Sequence, residues 1–378
     1  MKRQLIGALC ALSLAAAPLG VCAETAAPKT MTLSQAMEYA AQNHPQVLSA
    51  EATVDQSETA VQEAEGARIT AKRAVTNPSP AMTFASANYQ NYYAMNGYGV
   101  ETAQISLDMA ENVLEQVRET VKLGVKSAYY QYATSVERVA LYENDLAAAQ
   151  ERYQIAETKL AQGAISQLEL ETVGLSVETA QSNLAQSKRN VDINAMALKN
   201  AVGVPIDEAL TVTGTLEVPA KPETKLEDAM KQAEENGMDV ENARLQTKIE
   251  ELNYRAVDGW YTDNTYAYKK AKYGYDAAAY QLRNTIETLK INVAKAYDTM
   301  AKAFDSLALA EKSADLNDKS YEIAKAQFEL GMITANELED AANEALDGKL
   351  AYADALYGAL MGTAQYEFSY TVGNMAAR

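Results

Sequence analysis

Residues 119–166 read ETVKLGVKSAYYQYATSVERVALYENDLAAAQERYQIAETKLAQGAIS. Apolar and aromatic residues step through this stretch by fours and threes: Val121, Val125, Ala128, Tyr132, Val136, Val139, Tyr142, Leu146, Ala149, Tyr153, Ala156 and Leu160. The mean step is about 3.5 residues, the period of helices that supercoil left-handedly around one another. No proline occurs from residue 81 to 204, so nothing forces a break. The run stops at Gly163, and Ser166, three residues on, is placed to cap a returning helix. The stretch therefore predicts a long rod folded back as an antiparallel hairpin, and a mainly α protein. At ~1.5 Å per residue such a rod reaches about 75 to 90 Å, longer than a compact globule needs.

The same unit is written twice. Glu119-Thr120, Val125 and Ala128-Tyr129 recur as Glu287-Thr288, Val293 and Ala296-Tyr297, and Tyr153, Ala156, Gly163, Ile165 and Ser166 recur as Tyr321, Ala324, Gly331, Ile333 and Thr334, all at an offset of 168. Upstream, Leu33, Ala36, Met37, Ala40, Asn43 and Val47 recur as Leu226, Ala229, Met230, Ala233, Asn236 and Val240 at an offset of 193. The first copy thus holds 25 extra residues between positions 64 and 119. They fall where helical character is weakest, after Pro78 and Pro80. Short alternating runs there, Met82-Thr83-Phe84 and Ile105-Ser106-Leu107 around Gly97 and Gly99, predict a β-hairpin over 81–108. The second copy has only a reduced hairpin at 258–270, around Gly259. The expected organisation is a leader at 1–23, a first repeat at 24–205, a Pro-bearing connector at 206–222 with short strands near Leu210 to Val212, and a second repeat at 223–378.

Lys2 and Arg3, the apolar run Leu5 to Ala17 and the small-residue exit Val21-Cys22-Ala23 read as a secretory signal. Acylation of Cys22 is the alternative, but Val21 and Leu19 match a lipoprotein site poorly. Both cysteines, Cys10 and Cys22, lie in the leader, which leaves the remainder without a thiol. Beyond the leader 31 basic residues face 51 acidic ones, a balance that disfavours nucleic acid as a partner. No later stretch approaches the roughly 18 consecutive apolar residues of a spanning helix, so a membrane crossing would have to use strands. Tyr outnumbers Phe by 23 to 4. The single histidine, His44, has no second histidine to relay protons or bind metal. No phosphate loop, nucleophile elbow or zinc signature occurs, and the sequence implies no enzyme and no cofactor.

In this order and duplicated, several features resemble the TolC-type outer-membrane efflux family. They are Leu33-x-x-Ala36 closing on Asn43-His44-Pro45, Ala201-Val202-Gly203-Val204-Pro205 followed by Leu210 to Gly214, and the turns Gly163-Ala164-Ile165-Ser166 and Gly331-Met332-Ile333-Thr334. The resemblance implies a homotrimer, with a strand barrel in the outer membrane and a helical barrel crossing the periplasm. It implies a passive conduit whose two glycine turns dock on a periplasmic adaptor protein and meet an inner-membrane pump. It places Glu337 and Asp340 as an acidic ring in the lumen, where threefold repulsion would raise their pKa; a solvated helix face is the plainer reading of both. The aromatic hydroxyl and the arginine of the family's tip latch fall on Phe328 and Ile333, so this sequence departs from the family at the polar latch.

Tyr89, Tyr92, Tyr93 and Tyr98, with Trp260 and Tyr261, suit a membrane-interface belt. One hairpin per protomer gives a trimer only six strands, too few to enclose a wide pore. A coiled-coil spacer or tether of the envelope, without a pore of its own, is the alternative function. The stunted hairpin favours the spacer, and the duplicated tip favours the conduit.

Overall fold

The computed structural model describes residues 30–76, 88–214 and 216–373. Among the described residues nine helices and two short strands follow in the order β1 (Thr30–Thr32), α1 (Leu33–Asn43), α2 (Pro45–Thr76), α3 (Tyr89–Met95), α4 (Tyr98–Ala161), α5 (Gln167–Val202), β2 (Thr211–Thr213), α6 (Leu226–Asn236), α7 (Met238–Asp258), α8 (Tyr266–Glu329) and α9 (Ala335–Thr371). Each repeat is a short helix, a longer one, and a long antiparallel hairpin. Helices α4 and α8 both contain 64 residues, about 96 Å of rod at ~1.5 Å per residue.

The duplication is physical as well as textual. One buried cluster is built from Ala36, Ala40, Val47, Val121, Val125 and Leu198. The other uses their equivalents in the second copy, Ala229, Ala233, Val240, Leu289, Val293 and Tyr366. Alanines on α1 and α6 let those short helices lie close against the rods. Tyr366 fills its site with no exposure and donates its hydroxyl to the Thr224 carbonyl at 3.0 Å, so its polar end is satisfied.

The rods pack side by side: α4 against α5, α4 against α9, and α8 against α9, which leaves α5 and α8 on the outer edges. Along α4 the expected seam holds at Val121, Val125, Ala149 and Ala156. It shifts in the middle, where Val136 stands 44% exposed while Thr134 and Ser135 take the buried positions. Ser135 is accommodated there because its hydroxyl donates to the Tyr132 carbonyl at 2.6 Å.

The β-hairpin expected over 81–108 is not a hairpin in its described part. Residues 89–95 and 98–108 are helical, split by Gly97 at φ +86°; Met82, Thr83 and Phe84 lie outside the described residues. Ile105-Ser106-Leu107 is too short to separate a period of two from one of 3.6, and Ile105, 2% exposed, extends the α4 seam by one more position. The reduced hairpin at 258–270 is likewise a turn between helices. Thr265 caps α8 by accepting from the Tyr268 amide at 3.3 Å. The 25-residue excess is the difference between residues 66–97 and their counterpart 259–265: a longer α2, the segment that follows it, and α3.

The connector supplies β2, one residue along from the expected Leu210–Val212, and pairs it in parallel with β1. The register is Thr30 with Thr211, Met31 with Val212 and Thr32 with Thr213. Met31 and Val212 point into the first-copy cluster.

Two substitutions separate seam from surface on α4. Val125→Ala should cost about 2–3 kcal/mol in chemical denaturation, since Val125 has no exposure, and Val136→Ala less than about 0.5 kcal/mol. Equal losses would mean that the heptad seam runs through Val136 after all.

Candidate functional site: the paired glycine turns

Both hairpins reverse by the same chemistry. In the first, the Gly163 amide donates to the Leu160 carbonyl at 2.9 Å and the Ala164 amide to the Lys159 carbonyl at 2.9 Å. In the second, Gly331 donates to Phe328 at 3.0 Å and Met332 to Gln327 at 2.9 Å. This is the Schellman closure, which needs a left-handed residue, and Gly163 and Gly331 sit at φ +70° and +76°. Reciprocal capping boxes then start the returning helices. Ser166 and Glu169 exchange bonds at the head of α5, and Thr334 and Glu337 do so at the head of α9.

The two turns lie together because Ile165 and Ile333 pack into one shared cluster with Ala156, Val173, Ala324, Phe328, Ala335 and Leu338. Gly163, Ala164, Ser166, Gly331, Met332 and Thr334 are left exposed as a doubled edge, with Met332 at 70%.

Phe328 is 2% exposed. Its ring carries the Lys159 ammonium 3.7 Å from the centroid, and the same ammonium donates to the Phe328 carbonyl. With Ile333 packed inward, neither position offers a polar latch.

The polar joint between the hairpins comes from residues that the heptad pattern did not single out. Arg152, buried on α4, pairs with Glu339 of α9 at 3.1 Å and reaches the Tyr321 hydroxyl at 3.5 Å. Lys325 pairs with Glu151 at 3.1 Å. Asp145 is on the same face, and burial raises its pKa despite Arg152. The available signal was a cation beside a core position: Arg152 precedes Tyr153, where the second copy has Ser320 before Tyr321.

Glu337 and Asp340 are both exposed on the first turns of α9. Glu337 is already engaged in its protomer. Its carboxylate accepts from the Thr334 amide at 2.7 Å and from the Thr334 hydroxyl at 3.0 Å, and these bonds hold it below the usual carboxylate range. That direction is opposite to the one that repulsion within a ring would impose.

At the far end of the rods Tyr89, Tyr92, Tyr93 and Tyr98 converge with Trp260 and Tyr261 into one cluster, with ring centroids 5.0–6.4 Å apart. They join α3 to the α7–α8 turn. His44 links α1 to α2 away from both ends. Its Nδ1 accepts from the Gln46 amide at 3.3 Å, and burial lowers its pKa.

The sequence profile of the outer membrane efflux protein family matches residues 94–204 and 262–361. No curated protein matches the chain in sequence. Three solved structures share its fold at 13% identity. A membrane protein from Pseudomonas aeruginosa superposes with a TM-score of 0.74 over 89% of this chain and 93% of that one. The VceC outer membrane protein of Vibrio cholerae gives 0.71 over 90% and 96%. The CmeC outer membrane channel of Campylobacter jejuni gives 0.68 over 90% and 86%.

The capping boxes predict a pH dependence. Glu169 and Glu337 are stabilised in the ionised form, so their contribution is complete above the ordinary carboxylate pKa of 4.5 and is lost as pH falls through their lowered folded values. Amide exchange at residues 163–169 and 331–337, corrected for intrinsic rates, should be unchanged between pH 7 and 5.5 and should rise below pH 4. Loosening above pH 5 would contradict the assigned bonds.

Proposed function

Since the chain belongs to the outer membrane efflux protein family, whose profile covers more than half of it, we propose that it is the duct of a tripartite efflux or type I secretion system. Copies stand side by side as a homotrimer in the outer membrane and extend into the periplasm. The conduit is passive, and the doubled glycine edge docks on a periplasmic adaptor that leads to an inner-membrane pump. Because both tips carry the same turn at the same level, a ring of copies presents a regular rim of identical docking elements, which a simple spacer does not require.

One observation carries the tube. The outer rod α8 with its cap residue exposes Leu309, Leu316, Ile323 and Leu330 at a strict seven-residue spacing, each 61–76% exposed. The opposite outer rod, α5, exposes Leu168 and Leu175 seven residues apart near the tip, and Met196 three such steps further on. Counted from the tips, the rows run antiparallel, so Leu330 meets Leu168 and Ile323 meets Leu175 when one copy's α8 edge lies on the next copy's α5 edge. Different edges make the contact heterologous, the kind that forms a ring when the rotation between copies closes. Apolar rows left in water on both edges of a rod are the unburied halves of a coiled-coil seam.

Leu316→Asp with Ile323→Asp should leave the helical content unchanged and reduce the oligomer to monomers by mass measurement. An unchanged oligomer would place the subunit contact elsewhere. Single-channel conductance of the same purified oligomer in planar bilayers tests the duct itself. A steady pore supports it, and an intact oligomer that never conducts supports the spacer.

In the ring Glu337 and Asp340 would repeat three times around the lumen, and Glu337→Ala with Asp340→Ala should weaken cation preference severalfold in reversal-potential recordings. Unchanged selectivity would return both residues to a solvated helix face.

A further inference from the structure

Midway along the rods, between α4, α5 and α9, lies a cleft of about 540 Å³ that the duct reading does not use. Its floor is the stretch of α4 where the apolar seam gives way. Thr134 and Ser135 are buried there, and Ser187 of α5 takes a core position beside them at 5% exposure. One wall is a ladder of amides on α5, Asn183, Gln186, Asn190 and Asn194, whose steps of three and four set them on one helical face. Among the described residues none of these four side-chain amides enters a hydrogen bond. The other wall is α9, where Asp354 pairs with Arg138 of α4 and the Tyr357 hydroxyl accepts from the Gln131 amide at 3.0 Å. Tyr357 at the Gln131 end and Tyr142 toward the tips give the cleft a half-buried ring at each end. Its one cation and one anion neutralise each other.

The fold does not demand such a lining, because the second copy does without it. At the offset of 168, Ser135, Tyr142, Asn183, Ser187, Asn190 and Asn194 correspond to Ala303, Ala310, Ala351, Ala355, Gly358 and Gly362. The second hairpin is closed at this level: a Cβ added to Gly362 would lie 3.2 Å from the Met300 Cα and 3.5 Å from the Ala303 Cβ. Amides and hydroxyls in the first copy forgo that close packing and the apolar burial that comes with it. The cleft is also separate from the subunit edge. Asn183 and Asn190 stand one position past the seven-residue row that starts at Leu168 and Leu175, and Ser187 and Asn194 five positions past it. At ~3.5 residues per turn they point about 100° or more away from that row, so a neighbour seated on it leaves the cleft open.

Planar amides, hydroxyls, a neutral lining and an aromatic ring at each end complement a carbohydrate. An amide exchanges paired hydrogen bonds with neighbouring hydroxyls or with an acetamido group, and a ring covers the apolar C–H face of a sugar. The ladder climbs by one amide per helical turn, ~5.4 Å, which is close to the advance per ring of an extended β-1,4-linked glycan. An extended polypeptide repeats its like-facing groups at a wider interval, about 6.6 Å. We propose that this cleft binds an uncharged glycan of β-1,4-linked N-acetylated amino sugars, laid along α5 with successive rings on successive amides. The site is complete within one chain and does not depend on the duct.

The test is isothermal titration calorimetry of the purified protein with chitotetraose, four β-1,4-linked N-acetylglucosamine rings, against maltotetraose, whose α-1,4 linkages coil the same number of rings. Chitotetraose should bind once per chain, and maltotetraose at least tenfold more weakly. Asn190→Ala with Asn194→Ala, changes that favour the helix, should weaken chitotetraose by about tenfold or more. Asn144→Ala with Gln154→Ala, on α4 nearer the tips, should leave it unchanged. No heat with chitotetraose, equal affinity for the two sugars, or indifference to the Asn190 and Asn194 changes would each overturn the proposal. Displacement of chitotetraose by a neutral Gly-Ser peptide would overturn it as well, by making the ladder a reader of peptide backbone. Conductance without sugar binding would keep the duct and remove the glycan site; sugar binding by an oligomer that never conducts would do the reverse.

Discussion

Everything in this molecule depends on the apolar seam that runs along α4 and α8 and on the requirement that each rod reverse. A rod of 64 residues cannot bury its own stripe, so it must return on itself or find a neighbour. The left-handed glycines at 163 and 331 allow the return within a few residues, and the capping boxes restart a helix at once. The cores at the base of each repeat, the shared cluster at the tips and the bare edges of α5 and α8 all follow from where that seam finds partners and where it does not.

The rods, the reversals and the doubling were legible because they are written in repeating patterns: a seven-residue period, Gly then Ser or Thr three residues on, and two constant offsets. Those signals are local or self-referential, and the matching burial of Ala36 with Ala229 and of Val125 with Val293 follows directly from them. The far end was misread for the converse reason. Three alternating residues at 105–107 carry too little period to outweigh a seam that reaches Ile105, and Gly97, a sound punctuation mark, separates two helices instead of two strands.

The polar joint at the tips escaped the sequence reading for another reason. Arg152 and Glu339 are 187 positions apart and acquire meaning only when α4 and α9 are laid together. Pairing one cation with one anion across such a distance has no periodic trace. The shift of the α4 seam onto Thr134 and Ser135 is equally silent, because small hydroxyl residues enter a helical core only where a backbone carbonyl lies within reach, as that of Tyr132 does for Ser135. Glu337 shows the limit from the other side: its residue type suggested an acidic ring, while the capping bond that it makes with Thr334 came to light only in the fold.

The short parallel pair of β1 and β2 has a consequence for the order of assembly. Met31 and Val212 belong to one core, yet Thr213 reaches back to the Met31 carbonyl across 182 positions of chain. The hairpin of α4 and α5 can form from neighbouring residues as soon as it emerges, whereas the base of the first repeat stays open until the connector arrives. Closing so long a loop is slow compared with zipping a hairpin. During synthesis the rods of the first repeat would therefore stand complete before their own base is sealed, and the last step would be the stitching of Thr211, Val212 and Thr213 onto a strand that waited for them.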